Sequence, residues 1–229
     1  MKSIFLVDAD DTILDFHGVS AIALKTAFEK SGIAWREEFL PVFKKINGGF
    51  WEALERKELT RNELMERRFP YYLSYLGLKK IDGAAFNEKF IAYLSTHPVY
   101  LQGAESFLKT LNDMGRVFIV TNGTEYIQKS RFSISKLYSY AEDVFISDSI
   151  GYDKPAKGYT DYVIEHINGF DREKAVWIGD SLSADIKAAN DAGIASIWFD
   201  RSEKTLEKEI KPDYIAKNFE EVLEILRKI

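Results

Sequence analysis

The stretch IFLVDADDT at residues 4–12 decides the fold, because a short apolar run leads there directly into acidic residues. Residues 4–7 are apolar without polar alternation, which is typical of a strand buried on both faces of a parallel sheet. Asp8, Asp10 and Asp11 follow at the carboxyl end of this strand, where open α/β sheets bind their ligands. The stretch therefore predicts both a parallel sheet and a site at its edge.

Further short runs along the chain share this pattern. They are rich in β-branched and aromatic residues and stand at residues 117–120, 143–146, 175–178 and 195–198. Helical patterns lie between them, such as the apolar stripe over 104–114, which ends before Gly115. After the last run, Asn218 and Glu221 form a capping box for a final helix. Strands that alternate with helices predict an α/β fold, a Rossmann-like parallel sheet with helices on both faces.

Residues 16–98 break the alternation, since they show a helical pattern and no buried-strand run. The predicted helices extend from about residue 16 to Gly32 and over 50–59, 61–76 and 84–94. The predicted organisation is a core of residues 1–15 and 99–229, interrupted by an all-helical insert of residues 16–98. We expect the insert to act as a cap over the carboxyl edge of the sheet.

The composition limits the classes of function. The 229 residues are 46% hydrophobic and 29% charged, as in soluble globular proteins. The formal net charge is −5 without a dense basic run, which argues against a nucleic-acid polymer as partner. The chain has no cysteine, which excludes disulfides and cysteine-ligated zinc. Aspartates interrupt the first apolar run, so neither a signal peptide nor a membrane partner is expected, and a cytoplasmic location is the default.

Polar residues also follow the other predicted strands and are brought to the same edge. They are Thr121 and Asn122 after the second strand, Lys154 after the third, and Asp180 and Asp185 after the fourth. Clustered carboxylates repel one another unless a cation joins them, and an all-oxygen set suits Mg²⁺. An aspartate with an ordinary pKa of ~3.9 is ionised at neutral pH and attacks phosphorus without a base. The set therefore suffices for phosphoryl transfer through an acyl phosphate.

Four motifs resemble, in order and spacing, those of the haloacid dehalogenase (HAD) superfamily. They are VDADDT at 7–12, VTNG at 120–123, KP at 154–155 and GDSLSAD at 179–185. The helical insert is similar to the C1-type cap of subfamily I. This resemblance implies Asp8 as the nucleophile and Asp10 as the general acid/base. It also implies Mg²⁺ held by Asp8, the backbone carbonyl of Asp10, and Asp180.

The resemblance extends to the residues around the phosphate. It implies that Thr121 and Lys154 bind the substrate phosphate, with Asn122 beside them. Asp185 is implied to be a supporting carboxylate, which holds either a metal-bound water or Lys154.

One departure from the family pattern concerns the substrate. Position 11 is usually glycine in the family, whereas here it is Asp11. An acidic residue there, and the segment at 45–69, are similar to the branch of pyrimidine 5′-nucleotidases. The dehalogenases proper lack the second aspartate of the first motif, so the presence of Asp10 favours a phosphatase.

The predicted cap offers candidates for substrate contact. Its aromatic residues at helical spacing are Phe50, Trp51, Tyr71, Tyr72 and Tyr75. Such stripes are more often core than ligand contacts, so we expect most of them to be buried. Trp51 or Phe50 is the candidate for stacking on a base. Candidates for meeting a ribose or base edge are Asn47, Arg61, Arg67 and Arg68, although a solvated helix face explains Arg61 equally well.

The sequence thus predicts a Mg²⁺-dependent phosphomonoesterase that forms a phosphoaspartyl intermediate. The expected substrate is a small-molecule phosphomonoester, a nucleoside 5′-monophosphate with pyrimidines preferred. Alternatives with the same chemistry are a phosphatase of a sugar phosphate or phosphoglycolate, and a phosphomutase. From another class come a receiver-type signalling module and a non-catalytic phosphate-binding protein. The chain is expected to be a monomer or homodimer.

Overall fold

The computed structural model describes residues 2–201 and 209–229. The chain divides into two compact units. We call Met1–Asp15 with Val99–Ile229 the sheet unit, and Phe16–Pro98 the helical unit. In the described ranges, no helix combines the length and the hydropathy that crossing a membrane requires.

The elements follow one another largely as the sequence pattern predicts. The strands are Ile4–Val7 (β1), Arg116–Thr121 (β2), Asp143–Ile146 (β3), Ala175–Gly179 (β4), Ala195–Phe199 (β5) and Tyr214–Ala216 (β6). The helices are Phe16–Glu29 (α1), Phe39–Glu55 (α2), Arg61–Tyr75 (α3), Gly83–Leu94 (α4), Ala104–Met114 (α5), Glu125–Ser135 (α6), Ser147–Ile150 (α7), Lys157–His166 (α8), Lys187–Ala192 (α9) and Phe219–Leu226 (α10). A π-helical turn, Leu182–Ile186, links β4 to α9.

The strands of the sheet unit form one sheet in the order β3-β2-β1-β4-β5-β6. Each neighbouring pair is parallel, which confirms the predicted α/β fold. The sequence analysis missed β6, because this strand is only 3 residues long, too short to stand out as an apolar run, and its first two residues are exposed.

Helices cover both faces of the sheet, which explains why its inner strands are apolar throughout. Successive side chains of a strand point to opposite faces. Phe5 and Val7 of β1 pack in one cluster with α5 and α10, whereas Ile4 and Leu6 pack in another with α8 and α9. The predicted cap of the last helix is present, since the backbone N–H of Glu221 donates to the Asn218 side chain at 2.9 Å.

The central position of β1 determines where polar side chains meet. Val7, the last residue of β1, is in register with Ile119 of β2 and Ile178 of β4. The carboxyl ends of these three strands therefore lie side by side at one edge. The parallel ladder continues to Asp8, whose backbone N–H donates to the Ile178 carbonyl at 2.9 Å.

The helical unit consists of α1 to α4 packed around aromatic side chains. Its fully buried rings belong to Phe28, Phe69, Tyr72, Phe86 and Phe90. The four predicted helices are present, but the bounds predicted for the second, 50–59, are wrong. It spans Phe39–Glu55, and its first half was overlooked because Pro41 and the pair Gly48–Gly49 weaken the helical signal.

Candidate active site

A buried lysine joins two aspartates at the carboxyl edge of the sheet. Lys154 Nζ donates to Asp8 Oδ1 and to Asp185 Oδ1, at 2.7 Å in each case. It also donates to the Val120 carbonyl at 2.9 Å. The side chains of Lys154, Asp8 and Asp185 are only 2%, 8% and 1% exposed. The three hydrogens of the ammonium group are all used, so the lysine is fixed in position.

The loop that carries Lys154 is held by Asn122. The Asn122 side chain donates through Nδ2 to the Lys154 carbonyl at 2.9 Å and accepts at Oδ1 from the Lys154 backbone N–H at 2.7 Å. The sequence analysis placed Asn122 beside the phosphate. In the structure its amide engages the backbone of the neighbouring loop, so it positions Lys154.

Asp185 is held by three donors. Its Oδ1 accepts from Lys154 and, at 3.2 Å, from Trp177 Nε1, and its Oδ2 accepts from the Ser181 backbone N–H at 3.2 Å. A Cβ at Gly179 would overlap the Asp185 carboxyl group, so this position requires glycine. Asp185 lies in the π-helical turn before α9. The resemblance implied that it holds either a metal-bound water or Lys154, and in the structure it accepts from Lys154.

Asp180 completes a cluster of three carboxylates. Asp8, Asp180 and Asp185 each offer an oxygen, and these oxygens all lie within 4.8 Å of one another. Asp180 follows β4 directly, and its backbone carbonyl accepts from Trp198 Nε1 at 2.9 Å. A cation placed among these oxygens would find ligands of the kind that Mg²⁺ prefers.

The charges at this edge are not balanced. Burial raises the pKa of Asp8, Lys154 lowers it, and the charges of Asp185 and Asp180 raise it, with a net result well above the ordinary value. The expectation that Asp8 has an ordinary pKa was therefore wrong, because the sequence does not reveal this burial. Burial lowers the pKa of Lys154, but Asp185 and Asp8 together raise it above its ordinary value.

A second group of side chains surrounds Asp10. Arg131 Nη1 lies 2.6 Å from Asp10 Oδ1, and Gln128 Nε2 donates to Asp10 Oδ2 at 2.9 Å. Gln128 Nε2 also lies 2.9 Å from Thr121 Oγ1, to which it donates. Sequence reasoning missed Gln128 and Arg131. The available signal was their place on the buried stripe of α6, between Ile127 and Phe132.

Asp11 has a left-handed backbone conformation, with φ of 58°. Glycine adopts such angles freely, and aspartate is among the few other residues that tolerate them. The backbone N–H of Asp11 donates to the Leu14 carbonyl at 2.7 Å, which closes the turn after β1. The conformation accounts for the family's usual glycine at this position.

The predicted cap residues occupy different environments in the helical unit. Asn47 is buried, and its Oδ1 accepts from Arg68 Nη1 at 2.9 Å, which argues against the predicted role in substrate contact. Trp51 is half-buried, with the Arg61 guanidinium 5.5 Å from its ring centre.

The expectation that most of the five cap aromatics are core was wrong. Tyr72 alone among them is buried, Phe50 and Trp51 are half-buried, and Tyr71 and Tyr75 are 57% and 67% exposed. Periodicity places these rings on helix faces, but it does not say which face the neighbouring helices cover.

A model of the haloacid dehalogenase-like hydrolase family matches residues 2–193. The chain is 37% identical over 221 residues to the HAD-hydrolase YfnB of Bacillus subtilis, covering 96% of this chain and 94% of that protein. It is 32% identical over 224 residues to the pyrimidine 5′-nucleotidase PynA of Streptococcus pneumoniae, covering 97% and 94%. It is 26% identical over 221 residues to the pyrimidine 5′-nucleotidase YjjG of Escherichia coli, covering 96% of each. The crystal structure of YfnB bound to magnesium aligns with 98% of each chain at 36% identity and a TM-score of 0.92.

Proposed function

This chain belongs to the haloacid dehalogenase-like hydrolase family, as a hydrolase of the phosphatase type, and we propose that it is a Mg²⁺-dependent phosphomonoesterase with Asp8 as nucleophile. The observation that carries the proposal is the Asp8 carboxylate at the end of the central strand. It accepts a hydrogen bond from Lys154, and one of its oxygens lies within 4.8 Å of carboxylate oxygens of Asp180 and Asp185. A carboxylate that is fixed among a cation and further metal ligands is equipped to attack phosphorus.

The donor set fits Mg²⁺. Lys154 bonds to two of the three carboxylates, Asp8 and Asp185. Burial and the charges of Asp185 and Asp180 nevertheless raise the pKa of Asp8, which supports a site that a cation would complete. Asp185 is already held by its three donors, so we propose Asp8, Asp180 and the backbone carbonyl of Asp10 as the protein ligands. When bound, the ion supplies positive charge that stabilises both the ionised carboxylates and the substrate phosphate.

The side chains then divide the work of hydrolysis. An oxygen of Asp8 forms a bond to phosphorus as the ester P–O bond breaks, and Asp10 gives a proton to the departing oxygen. Water then attacks the phosphoaspartyl group, Asp10 takes a proton from that water, and the bond between Asp8 and phosphorus breaks to release phosphate. Lys154 and the hydroxyl of Thr121 offset charge on the phosphoryl oxygens.

We propose nucleoside 5′-monophosphates as substrates, with pyrimidines preferred. Two relatives that match nearly the whole chain are named pyrimidine 5′-nucleotidases. Asp11 supports the same branch, and Trp51 is the candidate in the helical unit for contact with a base, because its ring is only half-buried. Asn47 is not retained, because its amide is buried and bonded to Arg68.

The test is phosphate release from a panel of phosphomonoesters, with Mg²⁺ and with EDTA. The panel contains dUMP, dTMP, UMP, dGMP, AMP, phosphoglycolate, glucose phosphates and 4-nitrophenyl phosphate. We expect Mg²⁺-dependent release that is fastest with the pyrimidine nucleotides. Release led by a sugar phosphate or phosphoglycolate keeps the chemistry and overturns the substrate.

Absence of release from every member of the panel would favour a mutase, a receiver-type module or a non-catalytic protein. A receiver-type module is already disfavoured, because such modules phosphorylate an aspartate at the end of the third strand. Here β3 ends at Ile146, and Ser147 follows.

A further inference from the structure

Two side chains of α6 hold the carboxylate of Asp10 from the interior. Arg131 lies against Oδ1 at 2.6 Å, and Gln128 donates to Oδ2 at 2.9 Å. Arg131 and Gln128 are each 1% exposed, whereas the Asp10 side chain is 29% exposed. On the buried side, Asp10 Oδ2 thus accepts a hydrogen bond from Gln128. Oδ1 forms an ion pair with Arg131 and, within the described residues, accepts no hydrogen bond, while part of the Asp10 side chain stays accessible.

The two side chains act as one assembly. They stand three residues apart on α6 and share a helix face, and Arg131 Nη1 donates to Gln128 Oε1 at 2.7 Å. Gln128 Nε2 bonds to Asp10 and also to Thr121 Oγ1, each at 2.9 Å. The orientation of Asp10 is therefore linked to a residue of the neighbouring strand end.

The backbone makes room for this assembly at Gly123. A Cβ on Gly123 would overlap the side chain of Gln128, so glycine permits the close approach. Gly123 follows Thr121 and Asn122 in the turn between β2 and α6. The turn at Gly123 thus leaves space for the Gln128 side chain, in addition to any role of the turn in binding phosphate.

Stability alone does not account for Arg131. Its guanidinium is buried, and within the described part of the chain its Nε and Nη2 make no hydrogen bond. A buried arginine with unsatisfied donors destabilises a fold compared with a well-packed apolar side chain. The contact with Asp10 explains why an arginine is buried at this position, whereas packing does not.

We propose that Arg131 and Gln128 are positioning residues, which keep the Asp10 carboxylate in the orientation from which it transfers protons. The inference rests on the proposed role of Asp10 and adds the residues through which that role is maintained. Proton transfer requires hydrogen-bond distance, and a misplacement of about 1 Å costs on the order of 100-fold in rate. Neither residue is proposed to touch the reacting atoms.

The experiment compares Arg131→Met and Gln128→Leu with the wild type on two substrates. The alkoxide that leaves dUMP needs a proton, whereas 4-nitrophenolate does not, and hydrolysis of the phosphoaspartyl group needs Asp10 with both substrates. We expect kcat for dUMP to fall by about 100-fold with KM within about 3-fold. With 4-nitrophenyl phosphate we expect a rapid burst of about one nitrophenolate per enzyme, followed by slow turnover.

Lys129→Met is the matched control on the same helix. Lys129 is 60% exposed and pairs with Glu125 on the surface, so this variant should keep wild-type kinetics with both substrates. If Arg131→Met does not fold, Gln128→Leu, which removes no charge, decides by the same two readings.

Three outcomes overturn the inference. Unchanged kinetics in a folded Arg131→Met or Gln128→Leu protein shows that Asp10 does not depend on these residues. With 4-nitrophenyl phosphate, a burst rate that falls as much as the turnover shows general damage to the site. If the wild-type protein shows no Mg²⁺-dependent phosphate release, the proposed function is overturned together with this inference. The first two outcomes overturn the inference alone.

Discussion

The sheet unit buries charges, whereas the helical unit buries rings. At the edge of the sheet, the side chains of Asp8, Lys154 and Asp185 are at most 8% exposed. In the helical unit, Phe69 lies with its ring centre 5.1 Å from both Phe86 and Phe90, and all three are fully buried. Burial of rings stabilises a fold, while burial of charges is costly unless they are paired. Burial at the sheet edge therefore has a cost in stability that burial of the ring cluster does not have.

Arg68 makes the comparison more specific, because the helical unit also buries a cation. Its guanidinium carbon lies 4.7 Å from the Phe69 ring centre, and its nitrogens donate to Asn47 and Asn87 at 2.9 and 3.0 Å. Rings and neutral amides contact this guanidinium, whereas at the sheet edge the carboxylates of Asp8 and Asp185 both bond to one lysine. A buried charge therefore indicates a catalytic or binding site when the neighbouring charges do not neutralise it.

The largest expected effect is the loss of activity in Asp8→Asn. The amide keeps the shape of the carboxylate but does not attack phosphorus, so phosphate release should fall at least ~10⁴-fold. The measurement is phosphate release with Mg²⁺, alongside far-UV circular dichroism to verify the fold. A clean Asp8→Asn preparation that still hydrolyses the panel at near wild-type rates would exclude Asp8 as the nucleophile.

The next effect is on the ring cluster and concerns stability. Phe69→Ala removes a fully buried ring from the helical unit and should lower the free energy of unfolding by ~3–5 kcal/mol. Urea titration followed by tryptophan fluorescence measures the change. Tyr71→Ala is the control, since this ring is 57% exposed and its loss should cost less than ~1 kcal/mol. Equal losses in the two variants would contradict the assignment of Phe69 to the core.

A smaller effect concerns the pH dependence of stability without metal. Burial, together with Asp185 and Asp180, raises the pKa of Asp8 in the folded protein above the pKa of ~3.9 in the unfolded chain. The protonated carboxyl group therefore contributes stability at a pH below ~3.9, and this contribution is lost as the pH rises through the pKa of the folded protein. The Asp8→Asn variant has no ionisable group at this position, so it does not lose this stability as the pH rises. In EDTA, its stability relative to the wild type should therefore increase as the pH rises from 4 to 8.

The measurement is the thermal unfolding of the variant and the wild type across this pH range. Mg²⁺ at neutral pH should remove the gap in stability between the two proteins. Asp191→Asn serves as the control, because Asp191 pairs with Lys187 on the surface and carries no buried charge. A gap that narrows with rising pH would refute the proposed charge imbalance at Asp8.

The smallest expected effect is that of Asp11→Gly. Glycine adopts the left-handed backbone angle without strain, so the stability should change by less than ~1 kcal/mol. Loss of the carboxylate should lower the preference for dUMP over glucose phosphate, measured as a ratio of kcat/KM, by ~3–10-fold, the equivalent of one polar contact. An unchanged ratio would remove Asp11 from the residues that select the substrate.

The sequence predicts the sheet well, because strands buried on both faces are uninterrupted apolar runs. The predicted strands over 4–7 and 143–146 coincide with β1 and β3, and the other three begin and end within one residue of the observed ones. The polar residues after these strands follow from the topology, so Asp8, Lys154 and Asp185 are brought together as expected.

What the sequence does not reveal depends on packing between distant segments. Gln128 and Arg131 look like ordinary polar residues of a helix, and only the packing of α6 turns them towards Asp10. Asn122 similarly meets the Lys154 backbone across 32 residues. The raised pKa of Asp8 has the same origin, because burial and neighbouring carboxylates cause it.

The two buried tryptophans at the sheet edge give the protein an intrinsic optical probe. Trp177 donates to the Asp185 carboxylate and Trp198 to the Asp180 carbonyl, so both indoles are hydrogen-bonded to aspartates of the candidate site. Indole emission shifts with the local electric field, and a cation or phosphate arriving at these aspartates changes that field. Equilibrium binding of a cation to the site can therefore be followed in the unlabelled wild-type protein, without substrate, so that no turnover interferes.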